Sequence, residues 1–321
     1  MIDESIRQFY TQFSFQPHVE NAKPMPRAKR FIVAGMGGSH LAANIIKSWN
    51  PKLDVVIHSD YGLPYIADED KDRTLVIASS YSGTTEETVD ALRVAHDAGL
   101  HCVAIATGHT LIERAKEYGI PYILIPDAGV QPRMALGFSM KAMLTFMQED
   151  EGLAAASNLV SLQSSESEAA GQQLAESLKD CVPIFYSSTR NSAIANICKI
   201  VMNETGKIPA FFDVFPEVNH NEMTGFDVKE FSRQLSRTFS VVIFKDPEDH
   251  PKIQKRMDVL GHLYEARQIP VRIIELNGQT WFERAFGAII LTCWAAFYTA
   301  KAYGLEAEQV PMVEEFKKLI A

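Results

Sequence analysis

The chain has 321 residues, enough for two domains that each bury a core, and 40 acidic against 31 basic residues leave a net charge of −9. No basic surface is available to neutralise a polynucleotide, so no nucleic-acid partner is expected and any phosphate ligand must be small. Cys102, Cys181, Cys198 and Cys293 lie in apolar runs without CxxC spacing, which points to reduced, buried thiols and away from a cysteine metal centre.

The N-terminal MIDESIRQFY carries acidic residues and no apolar h-region, so a signal peptide is not expected and a cytoplasmic location is. Phe31 to Ala34 reads as a strand, Gly35 to Ser39 as a loop and His40 to Ser48 as a helix. Val55 to His58 and Thr74 to Ala78 are the next strands, followed by an amphipathic helix over Glu86 to Ala98. His101 to Ala106 and Tyr122 to Ile125 complete five strands in the alternation of a doubly wound parallel α/β sheet. In such sheets ligands sit at the carboxyl ends of strands, where the loops after Ala34 and Ala78 both lie.

A helix over Leu136 to Gln148 ends this half, and Asp150 to Gln172, rich in Ala, Ser and Glu, reads as an interdomain connection. The expected division is a first domain over 1–150, a connection over 151–175 and a second domain over 176–321. The second half restarts the pattern, with strands over Val182 to Tyr186, Phe239 to Phe244 and Val271 to Ile274. Helices are expected over Asn191 to Glu204, Lys252 to Arg267 and Thr280 to Tyr303. The apolar stretch Ala285 to Ala300, interrupted by Gly287, Thr292 and Thr299, reads as a buried core helix too short to span a membrane.

The most informative segment is TLVIASSYSGTTEETV, Thr74 to Val89. An apolar strand leads into a loop, Ser79 to Thr85, with five Ser and Thr hydroxyls, one phenol and Gly83, and then into a helix opened by Glu86 and Glu87. A helix start leaves amides unpaired and carries partial positive charge, so an oxyanion there gains backbone and hydroxyl donors. A plain capped helix would need only one of these hydroxyls. Comparable loops are missing from the second half, where Ser187 to Arg190 and Lys245 to His250 occupy the equivalent places, so the anion pocket is expected in the first.

GMGGS, Gly35 to Ser39, is a second Gly-rich loop. With Asp60 after the following strand it approaches a dinucleotide fingerprint, but His40 fills the third Gly position, which leaves an NAD-dependent enzyme as a secondary reading.

GMGGS and SSYSGTTEET at this separation resemble the sugar isomerase (SIS) domain family. QPRMALG (Gln131 to Gly137), NETGKIPAF (Asn203 to Phe211) and NHNE (Asn219 to Glu222) extend the resemblance to the bifunctional phosphoglucose/phosphomannose isomerases, which pair two SIS units. The match runs from about Phe31 to the C-terminus. It implies two flavodoxin-like, doubly wound subdomains in tandem, and interconversion of glucose 6-phosphate or mannose 6-phosphate with fructose 6-phosphate. It implies Gly37, Gly38, Ser39, Ser80, Ser82 and Thr85 as substrate contacts, Arg133 beside the reacting carbons, Glu204 as base, His220 for ring opening and a C-terminal lysine, Lys317 or else Lys318. It also implies a homodimer with the active site near the interface, in which His220 reaches the neighbouring subunit. Neither metal nor cofactor is expected.

The chemistry suits these residue types. Aldose–ketose isomerisation shuttles a proton between C1 and C2 through a cis-enediol and needs a carboxylate near both carbons. Glu204 ends an otherwise apolar helix, IANICKIVMNE, where desolvation would raise its pKa, although it also reads as a solvated helix-end residue beside Lys207. Arg133 could stabilise the enediolate or lie on the surface. His220, in a polar loop, could protonate the ring oxygen with Glu222 orienting it, or be simply solvated. Lys317 and Lys318 also suit a helix C-terminus. Two positions depart from the family pattern: His40 follows GGS where a small residue is expected, and Thr84 replaces a common Asn. A non-catalytic phosphosugar sensor and an amino-sugar-phosphate deglycase or isomerase are the other readings.

Overall fold

The computed structural model describes residues 1–24 and 27–320, which form two compact units. One unit is continuous, Gln8–Leu162; the other joins Gln163–Ala321 to the first seven residues. The boundary at Leu162 falls inside the expected connection over 151–175, while the start of the chain groups with the other unit. Within those first residues lies helix α1 (Ile2–Arg7). Ile2 and Ile6 are buried, and the Arg7 guanidinium lies 5.2 Å from the Trp294 ring centroid and 3.1 Å from Glu168.

The continuous unit is built on strands β1 (Val19–Glu20), β2 (Arg30–Ala34), β3 (Asp54–His58), β4 (Thr74–Ser79), β5 (His101–Ala106) and β6 (Tyr122–Leu124). Helices α2 (Leu41–Trp49), α3 (Glu86–Asp97), α4 (His109–Glu117), α5 (Leu136–Met147) and α6 (Asp150–Asn158) connect and cover them. The sheet order is β1-β6-β5-β4-β2-β3, all parallel except the two-residue β1, which sequence analysis did not foresee. Every residue of β4 is buried, as expected of a parallel strand covered on both faces. Ile32 of β2 pairs with Val56 on one side and Val76 on the other. The chain leaves β2 toward β3, then returns to run outward from β4, so the direction of winding reverses between β2 and β4. Crevices open at such reversals because the flanking loops diverge to opposite faces.

The discontinuous unit holds β7 (Val182–Ser188), β8 (Phe211–Phe215), β9 (Phe239–Lys245) and β10 (Val271–Glu275) in the parallel order β10-β9-β7-β8. Its helices are α7 (Glu168–Ser177), α8 (Ser192–Glu204), the single turns α9 (Glu222–Gly225) and α10 (Arg233–Ser236), α11 (Pro251–Glu265), α12 (Trp281–Ala302) and α13 (Pro311–Ile320). Here winding reverses between β7 and β9. The expected connection over 151–175 is largely helical, lying in α6, two short 3-10 turns and α7. Helix α12 is longer than the apolar stretch foretold: its 22 residues meet the length and composition of a membrane span, yet two-thirds of its most apolar window is buried inside the protein. It packs on α7 and α8, and the Trp294 indole donates to the Ser164 carbonyl at 2.8 Å.

Candidate functional site

Both loops singled out in the first half lie at the winding reversal between β2 and β4, where Ser39 ties them together. The Ser39 carbonyl accepts from the Ser79 hydroxyl at 3.1 Å, and the Ser39 hydroxyl accepts from the Tyr81 amide at 2.9 Å, which leaves its own proton to donate. The turn Gly37–His40 that carries Ser39 starts α2. Gly37 has a φ of +52°, and Gly38 is pressed so close to the next segment that a Cβ there would lie 2.6 Å from the Arg133 amide nitrogen. Only glycine fits at Gly38.

The loop after β4 folds its hydroxyls into one cluster. Ser80 Oγ lies 2.8 Å from Thr85 Oγ1 and 3.4 Å from Ser82 Oγ, and it accepts from the Gly83 amide at 3.0 Å. Ser82 Oγ lies 3.1 Å from Thr84 Oγ1. Thr85 is the N-cap of α3, yet its side chain makes no capping bond. The first amides of α3 thus stay available to an anion beside several hydroxyl donors. Gly83 has a φ of +71°, and a Cβ there would lie 2.0 Å from the Gly108 carbonyl oxygen, so the tight turn depends on it. The Tyr81 phenol, grouped in sequence with these hydroxyls, turns instead to accept from the Ala128 amide at 3.2 Å.

Arg133 lies in the turn Pro132–Met134 ahead of α5 and is only 1% exposed, so it is no surface arginine. A residue missed in sequence braces this turn: the buried Gln12 side chain donates to the Met134 carbonyl at 2.6 Å and accepts from the Gly137 amide at 3.1 Å. No spacing or motif marks Gln12. His40, which follows GGS in place of a small residue, puts Nδ1 2.9 Å from the Asn44 side-chain amide one turn along α2. Burial lowers its pKa, favouring a neutral ring that accepts from Asn44. Asp60 accepts from the Tyr61 amide at 2.8 Å, closing its own turn.

In the discontinuous unit, Glu204 is the partly buried last residue of α8, and the Lys207 ammonium donates to its carbonyl at 2.7 Å. His220 is exposed at the end of the turn Glu217–Asn219. Glu222, expected to orient His220, bonds a third residue. Its carboxylate accepts from the hydroxyl of Tyr186, a fully buried β7 residue. Lys317, exposed on α13, pairs with Glu314 at 2.9 Å. The continuous unit thus gathers Ser39, Ser80, Ser82 and Thr85 and seats Gly38 on Arg133, while Glu204, His220 and Lys317 stand on three separate elements.

The reversal between β7 and β9 holds a different set. Asp246 and Asp249 are buried there, with Asn191 donating to both carboxylates at 3.1 and 3.3 Å and Ser188 donating to Asp249 at 2.6 Å. The buried Arg284 pairs with Asp246 at 3.2 Å and with Glu248 at 2.8 Å. Burial raises the pKa of Asp249. The buried carboxylates of this reversal are thus engaged by Asn191, Ser188 and Arg284.

Residues 167–320 match the family described as the bacterial phospho-glucose isomerase C-terminal SIS domain. A bifunctional phosphoglucose/phosphomannose isomerase of Aquifex aeolicus is 30% identical, aligned over 98% of this chain and 96% of its own length. One from Caldicellulosiruptor bescii is 32% identical over 91% of this chain and 89% of its own. The crystal structure of tagatose-6-phosphate ketose/aldose isomerase from Escherichia coli shares the fold, with a TM-score of 0.69 at 16% identity, covering 96% of this chain and 95% of that one. Two parallel sheets wound in the same way, a hydroxyl-lined loop in the first half and kinship along nearly the whole length place this chain in the bifunctional phosphoglucose/phosphomannose isomerase family.

Proposed function

We propose that the protein interconverts glucose 6-phosphate and mannose 6-phosphate with fructose 6-phosphate through a cis-enediol. The observation that carries this reading is the cluster of Ser80, Ser82 and Thr85 hydroxyls beside the unblocked start of α3, in a chain related end to end to enzymes named for that chemistry. Ser39, Ser80, Ser82 and Thr85 donate to the substrate's phosphate, and Gly37 and Gly38 let the backbone approach it. Glu204 moves the proton between C1 and C2, Arg133 offsets charge on the enediolate oxygens, His220 protonates the ring oxygen, and Lys317 adds a further cation. The reaction is written without a metal or organic cofactor, in the cytoplasm.

The protein acts as a homodimer with its active site near the interface. In support, the described residues of α13 are all exposed although Met312, Phe316 and Leu319 are apolar, a face that a second copy would cover.

Glu204→Gln tests the chemistry. The variant should bind hexose 6-phosphates as the wild type does while losing exchange of the substrate C2 proton with solvent, followed by NMR in deuterated buffer containing a chelator. Exchange at the wild-type rate would remove Glu204 as the base, and binding without turnover by the wild type would favour a phosphosugar sensor.

A further inference from the structure

The segment that presents His220 is held by two inward side chains. One is Val218, fully buried in the apolar cluster of Ile184, Tyr186 and Phe215. The other is Glu222, the first residue of α9, whose carboxylate reaches the Tyr186 hydroxyl. Tyr186 is itself fixed, with its ring edge-on to Phe215 at 6.0 Å. Asp213, on β8, is a second carboxyl that acts on Glu222 and helps to raise its pKa. Between these anchors the backbone is tightly wound: the His220 amide donates to the Glu217 carbonyl at 2.8 Å, and the Asn221 side chain donates to Glu217 at 2.7 Å. His220, between Val218 and Glu222 in sequence, is left exposed.

We propose that Glu222, held by the Tyr186 hydroxyl, is the positioning residue that fixes the His220 segment for ring opening of the cyclic sugar phosphate. The inference rests on the ring-opening role given to His220 above. Glu222 acts only through that segment, because its carboxyl is turned toward β7 and β8.

A buried carboxyl beside a second carboxyl favours its protonated form. The groups facing Glu222 are Tyr186 from β7, Asp213 from β8 and Tyr264 from α11, and none is cationic. Burial first, and then Asp213, push Glu222 up to about 7. A carboxyl raised in this way keeps its proton below that value and loses it as pH rises through it, so like charge on Glu222 and Asp213 weakens the anchor on the alkaline side. Glu222→Gln cannot ionise and faces Asp213 without like charge at every pH.

The test compares Glu222→Leu, Glu222→Gln and Tyr186→Phe, each alone and combined with His220→Asn, by kcat/KM for fructose 6-phosphate. Glu222→Leu should lower kcat/KM roughly 10- to 100-fold, as expected for a displaced catalytic group. Glu222→Gln should stay within about threefold of wild type near neutrality. Its ratio to wild type should rise between about pH 6 and about pH 8. In the His220→Asn background Glu222→Leu should cause no further loss, since a residue acting through His220 has nothing left to position. A full additional loss in that background overturns the proposal, as does a neutral Glu222→Leu where His220→Asn alone is damaging. A neutral His220→Asn overturns the ring-opening role itself. Tyr186→Phe, which removes one hydroxyl, repeats the test if Glu222→Leu does not fold.

Discussion

Ser80 Oγ and Thr85 Oγ1 lie 2.8 Å apart, so the residue that starts α3 directs its hydroxyl back to the strand end and not onto its own helix. Stability and ligand binding are thereby separated at one position. Thr85→Val should cost only about 1 kcal/mol of stability, the worth of its bond to Ser80, because no side-chain cap is lost. Hexose 6-phosphate affinity should fall about 10- to 100-fold, the worth of one hydrogen bond to a charged group. Calorimetric titration beside urea unfolding reads both, and unchanged affinity would show that the cluster does not touch the ligand.

Gly83→Ala should do the reverse and damage the fold first. The left-handed φ of +71° and the 2.0 Å approach to the Gly108 carbonyl leave no room for a methyl group. A loss of about 1–3 kcal/mol is expected from overpacking and strain. Denaturant midpoints measure it; a midpoint equal to wild type would mean that the Gly108 loop moves aside at no cost.

Arg284 and Asp246 test the carboxylate-filled reversal between β7 and β9. Arg284→Met strands a fully buried Asp246 and should destabilise the protein by about 3–5 kcal/mol. Adding Asp246→Asn removes the stranded charge and should restore much of that loss. Additive damage in the double variant, seen in chemical denaturation, would show that the two side chains act independently.

Lys141 is buried on α5, donating to the Phe13 carbonyl at 2.8 Å and lying 3.0 Å from the Ser157 hydroxyl. Burial lowers its pKa below 10.5, so the folded state binds the proton less readily than the unfolded chain does. Stability linked to this group therefore rises with pH until the unfolded lysine also titrates. Wild type should gain on Lys141→Met as pH climbs toward 10.5, read as the difference in urea midpoints. A pH-independent difference would mean that the ammonium is effectively solvated.

Much of this molecule could be read in advance because its strands are apolar runs with sharp edges. Thr74 to Ala78 and His101 to Ala106 were placed to within a residue, since a strand covered on both faces admits little but Val, Ile, Leu and Ala. Strand β8 was overlooked. Its FFDVF exposes Phe211 and Phe212 at the sheet edge, and Asp213 breaks the apolar run, so nothing local separates it from a loop. The hydroxyl loop was legible because one cap needs one hydroxyl and the surplus asks for a ligand. Gln12 and Tyr186 were not, because each works through a tertiary hydrogen bond to a residue far away in sequence. The bond that holds Glu222 was hidden in the same way: the sequence puts it two residues from His220, and the fold pairs its carboxyl with Tyr186.

The placement of α1 matters for how the nascent chain is made. Its apolar residues, Ile2 and Ile6, are translated long before α12, against which the helix packs. During synthesis the residues from Gln8 to Leu162 can complete their sheet alone, but the other unit cannot close until α12 has been made. Removing the first seven residues should therefore spare the early-folding half and leave the late one with an uncovered apolar groove, prone to capture by chaperones or to aggregation.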